Sequence, residues 1–141
     1  MRLAYSLTGD DRAPLVVFLH GFLGSREDWD VVTGSLAAHY RCLAVDLPGH
    51  GESVGMNDDM YTIPAAATAI VNLVDTLDVP SFSIIGYSMG GRLALYLASI
   101  YAMRIDALAI ESASPGLRTE AERAERRAQD EQWARMLEDE G

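Results

Sequence analysis

The chain alternates short, continuous apolar runs with longer segments of helical spacing. Leu15 to Leu19, Cys42 to Val45, Phe82 to Ile85 and Ile105 to Ile110 carry few polar positions. Such runs fit parallel strands covered by helices on both faces. A weaker run, Arg2 to Leu7, predicts a first strand ended by Gly9-Asp10. Between the runs, a first helix is expected to start near Ser25 to Glu27, with Ser25 and Asp28 as capping residues, and to end before Tyr40. A second is expected from Pro64 to Asp78. Its Ala66, Ile70, Leu73 and Leu77 recur at helical spacing, Pro64 suits the first turn, and Pro80 ends it. A third is expected from Arg92, with Leu93, Leu97 and Ile100 on one face. This alternation predicts an α/β fold, a mostly parallel sheet with helices on both faces.

The pattern changes after Pro115-Gly116. From Thr119 to Glu140 the chain is dense in Arg, Glu and Asp, and its few large apolar residues are Trp133, Met136 and Leu137. Thr119 followed by Glu122 reads as a capping box. The segment predicts a polar helix lying on the surface over the sheet, with Trp133 packed between it and the body.

The net charge of −10 argues against a nucleic-acid backbone or an anionic membrane as partner. It leaves a small anionic substrate open, because a few local arginines outweigh the global field at short range. The lone Cys42 sits in an apolar run and reads as a small buried residue. No apolar run approaches the roughly 20 residues that span a bilayer, and the first residues lack the shape of a signal peptide. A soluble cytoplasmic protein is expected.

The chemistry concentrates in Gly86-Tyr87-Ser88-Met89-Gly90, which follows an apolar strand and opens a helix. This is the G-x-S-x-G nucleophile elbow in its strand–turn–helix setting. A serine hydroxyl needs a neighbouring base to become a nucleophile. The elbow exposes it and leaves the next backbone N–H, that of Met89, free at a helix start to stabilise negative charge. A second donor is expected at Phe22, in Phe18-Leu19-His20-Gly21-Phe22, where a His-Gly pair ends a strand. His20 is read as shaping that turn, His50 as structuring its own loop, and His39 as a surface residue. All three histidines precede Ser88.

His20-Gly21-Phe22, Asp46-Leu47-Pro48-Gly49-His50-Gly51-Glu52-Ser53 and Gly86-Tyr87-Ser88-Met89-Gly90-Gly91-Arg92 together resemble the α/β-hydrolase superfamily. Ser114-Pro115-Gly116-Leu117, the Arg- and Glu-rich helix holding Glu122 to Arg127, and Arg92 narrow the resemblance to the 2-succinyl-6-hydroxy-2,4-cyclohexadiene-1-carboxylate synthases of menaquinone biosynthesis. The match is to that family's amino-terminal half. It implies residues 1–114 as the first part of the hydrolase core and 115–141 as the start of a helical cap.

The resemblance implies a lyase that expels pyruvate from a cyclohexene polycarboxylate, with Ser88 catalytic. It implies an oxyanion hole of Phe22 and Met89, and Tyr87, Arg92 and Arg126 on the substrate. Arginine forks bind carboxylates in a planar, bidentate way. The competing reading of Arg123, Arg126 and Arg127 is a solvated face paired with Glu122, Glu125 and Glu131. No metal and no organic cofactor is implied.

In the family, an acid and then a histidine complete the site after the serine. Here Asp106, Asp130 and Asp139 follow Ser88, none in a position suited to the acid, and no histidine follows. The expectation is therefore a chain truncated after the start of the cap, with little activity, an open last strand and a tendency to associate. Two other readings stay open, a carboxylic-ester hydrolase and a non-catalytic hydrolase-like fragment. Oligomeric state is not legible in the sequence.

Overall fold

The computed structural model describes residues 2–140. Its sheet has five strands, β1 (Tyr5–Thr8), β2 (Leu15–Leu19), β3 (Arg41–Val45), β4 (Phe82–Tyr87) and β5 (Ile105–Glu111), in the order β1-β3-β2-β4-β5. β1 runs antiparallel to β3, and the other pairings are parallel.

Alternating side chains split the strands between two cores. Leu15, Val17 and Leu19 pack with Leu43, Val45, Phe82 and Ile84 under α2 (Ile63–Asp75) and α3 (Met89–Ile100). Val16 and Phe18 pack with Cys42 and Ala44 on the other face, against Trp29 and Leu36 of the α1 region (Asp30–Leu36). Helices therefore cover both faces, which is why these strands are apolar throughout.

Each helix boundary has a local cause. Ser25 forms a capping box with Asp28, which opens a 3-10 turn (Arg26–Trp29) before α1. α2 begins where Thr62 Oγ1 accepts the Ala65 N–H at 3.3 Å. It ends at Asp75, three residues earlier than the spacing predicts, because the chain tightens through Thr76 and Leu77 into a left-handed Asp78 (φ 55°). α3 starts at Met89 rather than Arg92. The glycine pair that looks like a break, Gly90-Gly91, belongs to the helix because the helix lies against backbone: a methyl on Gly90 would stand 2.6 Å from His20 O.

α4 (Glu120–Glu140) forms as the capping box predicts, with Thr119 N–H donating to Glu122 Oε2 at 2.8 Å. Its residues 120–139 are exposed along their whole length, Trp133 included. The expected packing of Trp133 against the body is therefore corrected: α4 carries too few large apolar residues, and belongs to neither core cluster.

The topology also locates the site. From β2 the chain crosses to β3 by α1 on one face; from β4 it crosses to β5 by α3 on the other. β2 and β4 are neighbours, with Leu19 opposite Gly86. Their carboxyl ends flank the point where the winding reverses, which is where open α/β sheets form a crevice.

Candidate active site

Ser88 sits at the carboxyl end of β4 with φ 50° and ψ −110°. An L-residue held there carries strain of about 1–3 kcal/mol. Four constraints hold it. Its N–H donates to Glu111 O at 2.9 Å, extending the β4–β5 ladder by one residue, and its C=O accepts the Arg92 N–H at 3.1 Å. On either side, Gly86 and Gly90 let the turn close: a methyl on Gly86 would lie 2.5 Å from Gly90 O and 2.7 Å from the Gly91 Cα. Met89 is the first residue of α3, so its N–H has no partner within the helix.

The β2 end approaches from the other side. Gly21 lies so close to the elbow that a methyl there would be 2.8 Å from the Tyr87 ring and 3.6 Å from the Ser88 Cβ. The next residue is Phe22. Phe22, Met89 and Arg92 line one cavity of about 410 Å³, whose other walls are Leu47 to His50, Tyr61 to Ile63, Ala66 and Leu93. The lining is mostly apolar. Arg92 is its only guanidinium, and it has no ion-pair or hydrogen-bond partner among the described residues. Tyr87 lies beside the serine and is half-exposed.

His20 and Asp46 set the shape of this mouth. The His20 ring is 1% exposed. Its Nε2 accepts the Leu47 N–H at 3.0 Å, and its Nδ1 lies 2.7 Å from Gly21 O. A neutral ring with the proton on Nδ1 satisfies both partners. Burial lowers its pKa from 6.5, aided by nearby His50 and opposed by the Gly21 bond and by Asp46 and Asp28. Both ring nitrogens are committed to the backbone, so His20 shapes the turn and is no base for Ser88. The His50 ring lies tilted by 59° against His20, with centroids 5.1 Å apart, and meets the Phe22 ring edge-on at 5.9 Å.

The sequence-predicted residues divide into two groups. At the reversal point Phe22, Met89 and Arg92 share the cavity, whereas Ser88 and Tyr87 lie beside it against Gly21 and are not part of its lining. Arg126 does not join them: its Nε donates to Asp130 at 2.7 Å, and it lines a separate shallow groove with Leu117, Glu122 and Glu125. Arg123 and Arg127 are both paired with Glu120. The helix-face pairing competes successfully for these guanidiniums, though with Glu120 and Asp130 rather than the glutamates expected.

Asp106 accepts the Ser81 hydroxyl at 2.9 Å and is exposed. The cavity wall from Tyr61 to Ile63 carries no motif, and His50, though inside one, is not legible in the sequence as a cavity wall. Among the described residues, no cluster of three or more His, Cys, Asp and Glu could hold a metal ion, and no helix is long and apolar enough to cross a membrane.

A sequence model described as alpha/beta hydrolase fold matches residues 14–139. The 2-succinyl-6-hydroxy-2,4-cyclohexadiene-1-carboxylate synthase of Escherichia coli O7:K1 (strain IAI39 / ExPEC) is 35% identical over 129 residues, covering 92% of this chain and 50% of its own. Protein PHYLLO, chloroplastic, of Arabidopsis thaliana is 35% identical over 134 residues, covering 90% of this chain and 8% of its own. The solved structure of MenH from S. aureus matches with a TM-score of 0.88 at 34% identity, over 97% of this chain and 52% of that one. The chain spans about half the length of the bacterial relatives it matches.

Proposed function

Because the chain belongs to the alpha/beta hydrolase fold family, we propose that its site serves a carbon–oxygen lyase. The reaction is the elimination of pyruvate from 2-succinyl-5-enolpyruvyl-6-hydroxy-3-cyclohexene-1-carboxylate in menaquinone biosynthesis. The observation that carries this reading is Arg92: a guanidinium without a protein partner in the wall of an apolar cavity shared with Phe22 and Met89. Arg92 is partly buried, so solvent serves the guanidinium while the cavity is open, and a ligand that covers it must bring a carboxylate to replace that solvent. A neutral ester leaves it uncompensated, whereas a ring bearing several carboxylates does not.

In this reading Ser88, once its own proton has passed to a base, removes the ring proton beside the succinyl ketone. The electron pair moves onto the ketone oxygen as an enolate, held by the Phe22 and Met89 N–H groups. The enolate then collapses: a C2=C3 double bond forms, the C3=C4 pair shifts to C4=C5, and the C5–O bond to the enolpyruvyl group breaks. Pyruvate leaves as its enolate and takes up a proton. No water is consumed and no acyl-enzyme forms. Tyr87 borders the serine and orients the substrate. Arg126 contributes only if α4 moves over the cavity and exchanges its Asp130 partner for a substrate carboxylate. The protein acts in the cytoplasm on a small anionic substrate.

A second reading, a carboxylic-ester hydrolase, draws on the mostly apolar lining. No histidine follows Ser88 in the 141 residues, so the chain alone is expected to turn over slowly under either reading. The test joins residues 1–141 to the part of the E. coli synthase beyond the matched region and follows pyruvate release. Release that falls at least about 1,000-fold in Ser88→Ala, and whose KM rises about 10-fold in Arg92→Lys, supports the lyase. Hydrolysis of p-nitrophenyl acetate without pyruvate release overturns it.

A further inference from the structure

The loop that carries the Phe22 N–H is fastened at its two ends to two adjacent residues, Leu47 and Asp46. At its start, the His20 ring takes the Leu47 N–H on Nε2. At its end, Asp46 takes the Arg26 N–H on Oδ1 at 2.7 Å and the Arg26 guanidinium on Oδ2 at 2.5 Å. Between the anchors lie residues 21–25, closed by a turn in which the Gly24 N–H donates to Gly21 O at 3.1 Å, with Leu23 left-handed at φ 61°. Asp46 is 1% exposed, and its Oδ2 also accepts the Glu52 N–H at 3.0 Å. The second arm of the Arg26 fork reaches Glu52 Oε2 at 2.7 Å.

Among the described residues Arg26 is thus the one cation paired with buried Asp46, and it spans from the loop after β2 to Asp46 and Glu52 in the loop after β3. A buried carboxylate relieved of its cation recruits water or other donors, and the loop of residues 21–25 is the segment tied to it, through the Arg26 N–H. Phe22 itself is 54% exposed and contributes little packing to hold that loop.

We infer that Arg26 is a positioning residue: through Asp46 it fixes the loop whose Phe22 N–H holds the developing oxyanion. It touches neither substrate nor Ser88. This rests on the oxyanion role given to Phe22 above. Removing an oxyanion donor outright lowers turnover by about 100- to 1,000-fold. A donor that is present but loosely held should retain part of that effect.

The first arm of the test is hydrogen exchange on the 141-residue chain, read at the amides of residues 24, 26 and 47. Arg26→Met is expected to speed exchange there about 10-fold while the amides of α2 keep their rates. Arg26→Lys, which retains the contact to Asp46 but not the fork, should recover at least half of the protection. If Arg26→Met does not fold, Glu52→Gln is read instead, with acceleration of about 2- to 5-fold expected at the same amides. Unchanged loop exchange, or loop and α2 accelerating together, overturns the clamp.

The second arm uses the fusion described above. Arg26→Met should lower kcat about 10-fold with KM within twofold, and Arg26→Lys should restore most of it. A raised KM at unchanged kcat overturns positioning. If the unsubstituted fusion releases no pyruvate, the lyase reading fails and the oxyanion role falls with it, whereas the exchange arm still decides whether Arg26 holds the loop.

Discussion

The Leu47 backbone N–H donates to His20 Nε2 at 3.0 Å, joining the loop after β3 to the loop after β2. The bond exists only while that nitrogen is unprotonated. Burial, the largest cause, lowers the ring's pKa below 6.5. The unfolded chain therefore takes up this proton at higher pH than the folded chain does. Stability from His20 is complete above about 6.5 and is lost as pH falls from there through the folded value. Thermal melts between pH 8 and 5 should show stability falling with acid in the native chain. His20→Gln, lower throughout by about 2 kcal/mol for its lost buried bonds, should fall less steeply between pH 6.5 and 5. Equal slopes for the two proteins would refute the assignment.

Ser88 at φ 50° makes a different prediction, one of stability set against chemistry. Glycine adopts this conformation without the Cβ conflict. Ser88→Gly should raise the urea midpoint, by the equivalent of about 1 kcal/mol, while abolishing any serine-dependent reaction. Ser88→Ala keeps the Cβ and should leave the midpoint near that of the native chain. A Ser88→Gly variant less stable than Ser88→Ala would mean that the elbow is not strained.

How far the sequence reaches is visible at these same positions. β2 and β4 read directly, because strands buried on both faces leave uninterrupted apolar runs. The elbow read directly because a serine forced to positive φ between strand and helix needs small neighbours, and Gly86 and Gly90 record that need. The start of α3 did not, because glycine inside a helix looks like a break until the backbone it lies against is known. The Arg26–Asp46 node was equally silent: its members are 20 residues apart and meet only through the sheet register. On α4 the arginines were legible as charges, but which carboxylate each would choose depends on rotamers that no spacing encodes.

The glycines give a matched pair for testing close approach. A methyl on Gly90 would meet the carbonyls of Leu19 and His20, rigid backbone at the carboxyl end of β2. Gly90→Ala should destabilise by about 3 kcal/mol. Gly34, inside α1, has no atom within 4 Å of its methyl position. There Gly34→Ala should stabilise by about 0.5–1 kcal/mol, through helix propensity and a less flexible unfolded chain. Chemical denaturation of both variants decides. Similar effects from the two would contradict the close contact at Gly90.

β5 supplies the last prediction. It pairs with β4 on one side, and among the described residues no strand pairs with the other. Its Leu108 and Ile110 are 37% and 40% exposed. An unpaired strand with apolar side chains is a template for pairing with another chain. Against it stands the net charge of −10, whose repulsion acts over roughly 10 Å at 0.1 M salt. Strand pairing acts at contact, where salt does not weaken it, so raising the salt removes the opposing term alone. Light scattering on the purified chain should therefore show association that grows between about 0.05 and 0.5 M salt. Ile110→Lys, which places a charge on the edge strand, should reduce association at both salts without altering the melt. A monodisperse monomer at both salts would refute the prediction, since the edge would then not template pairing even with the charge repulsion screened.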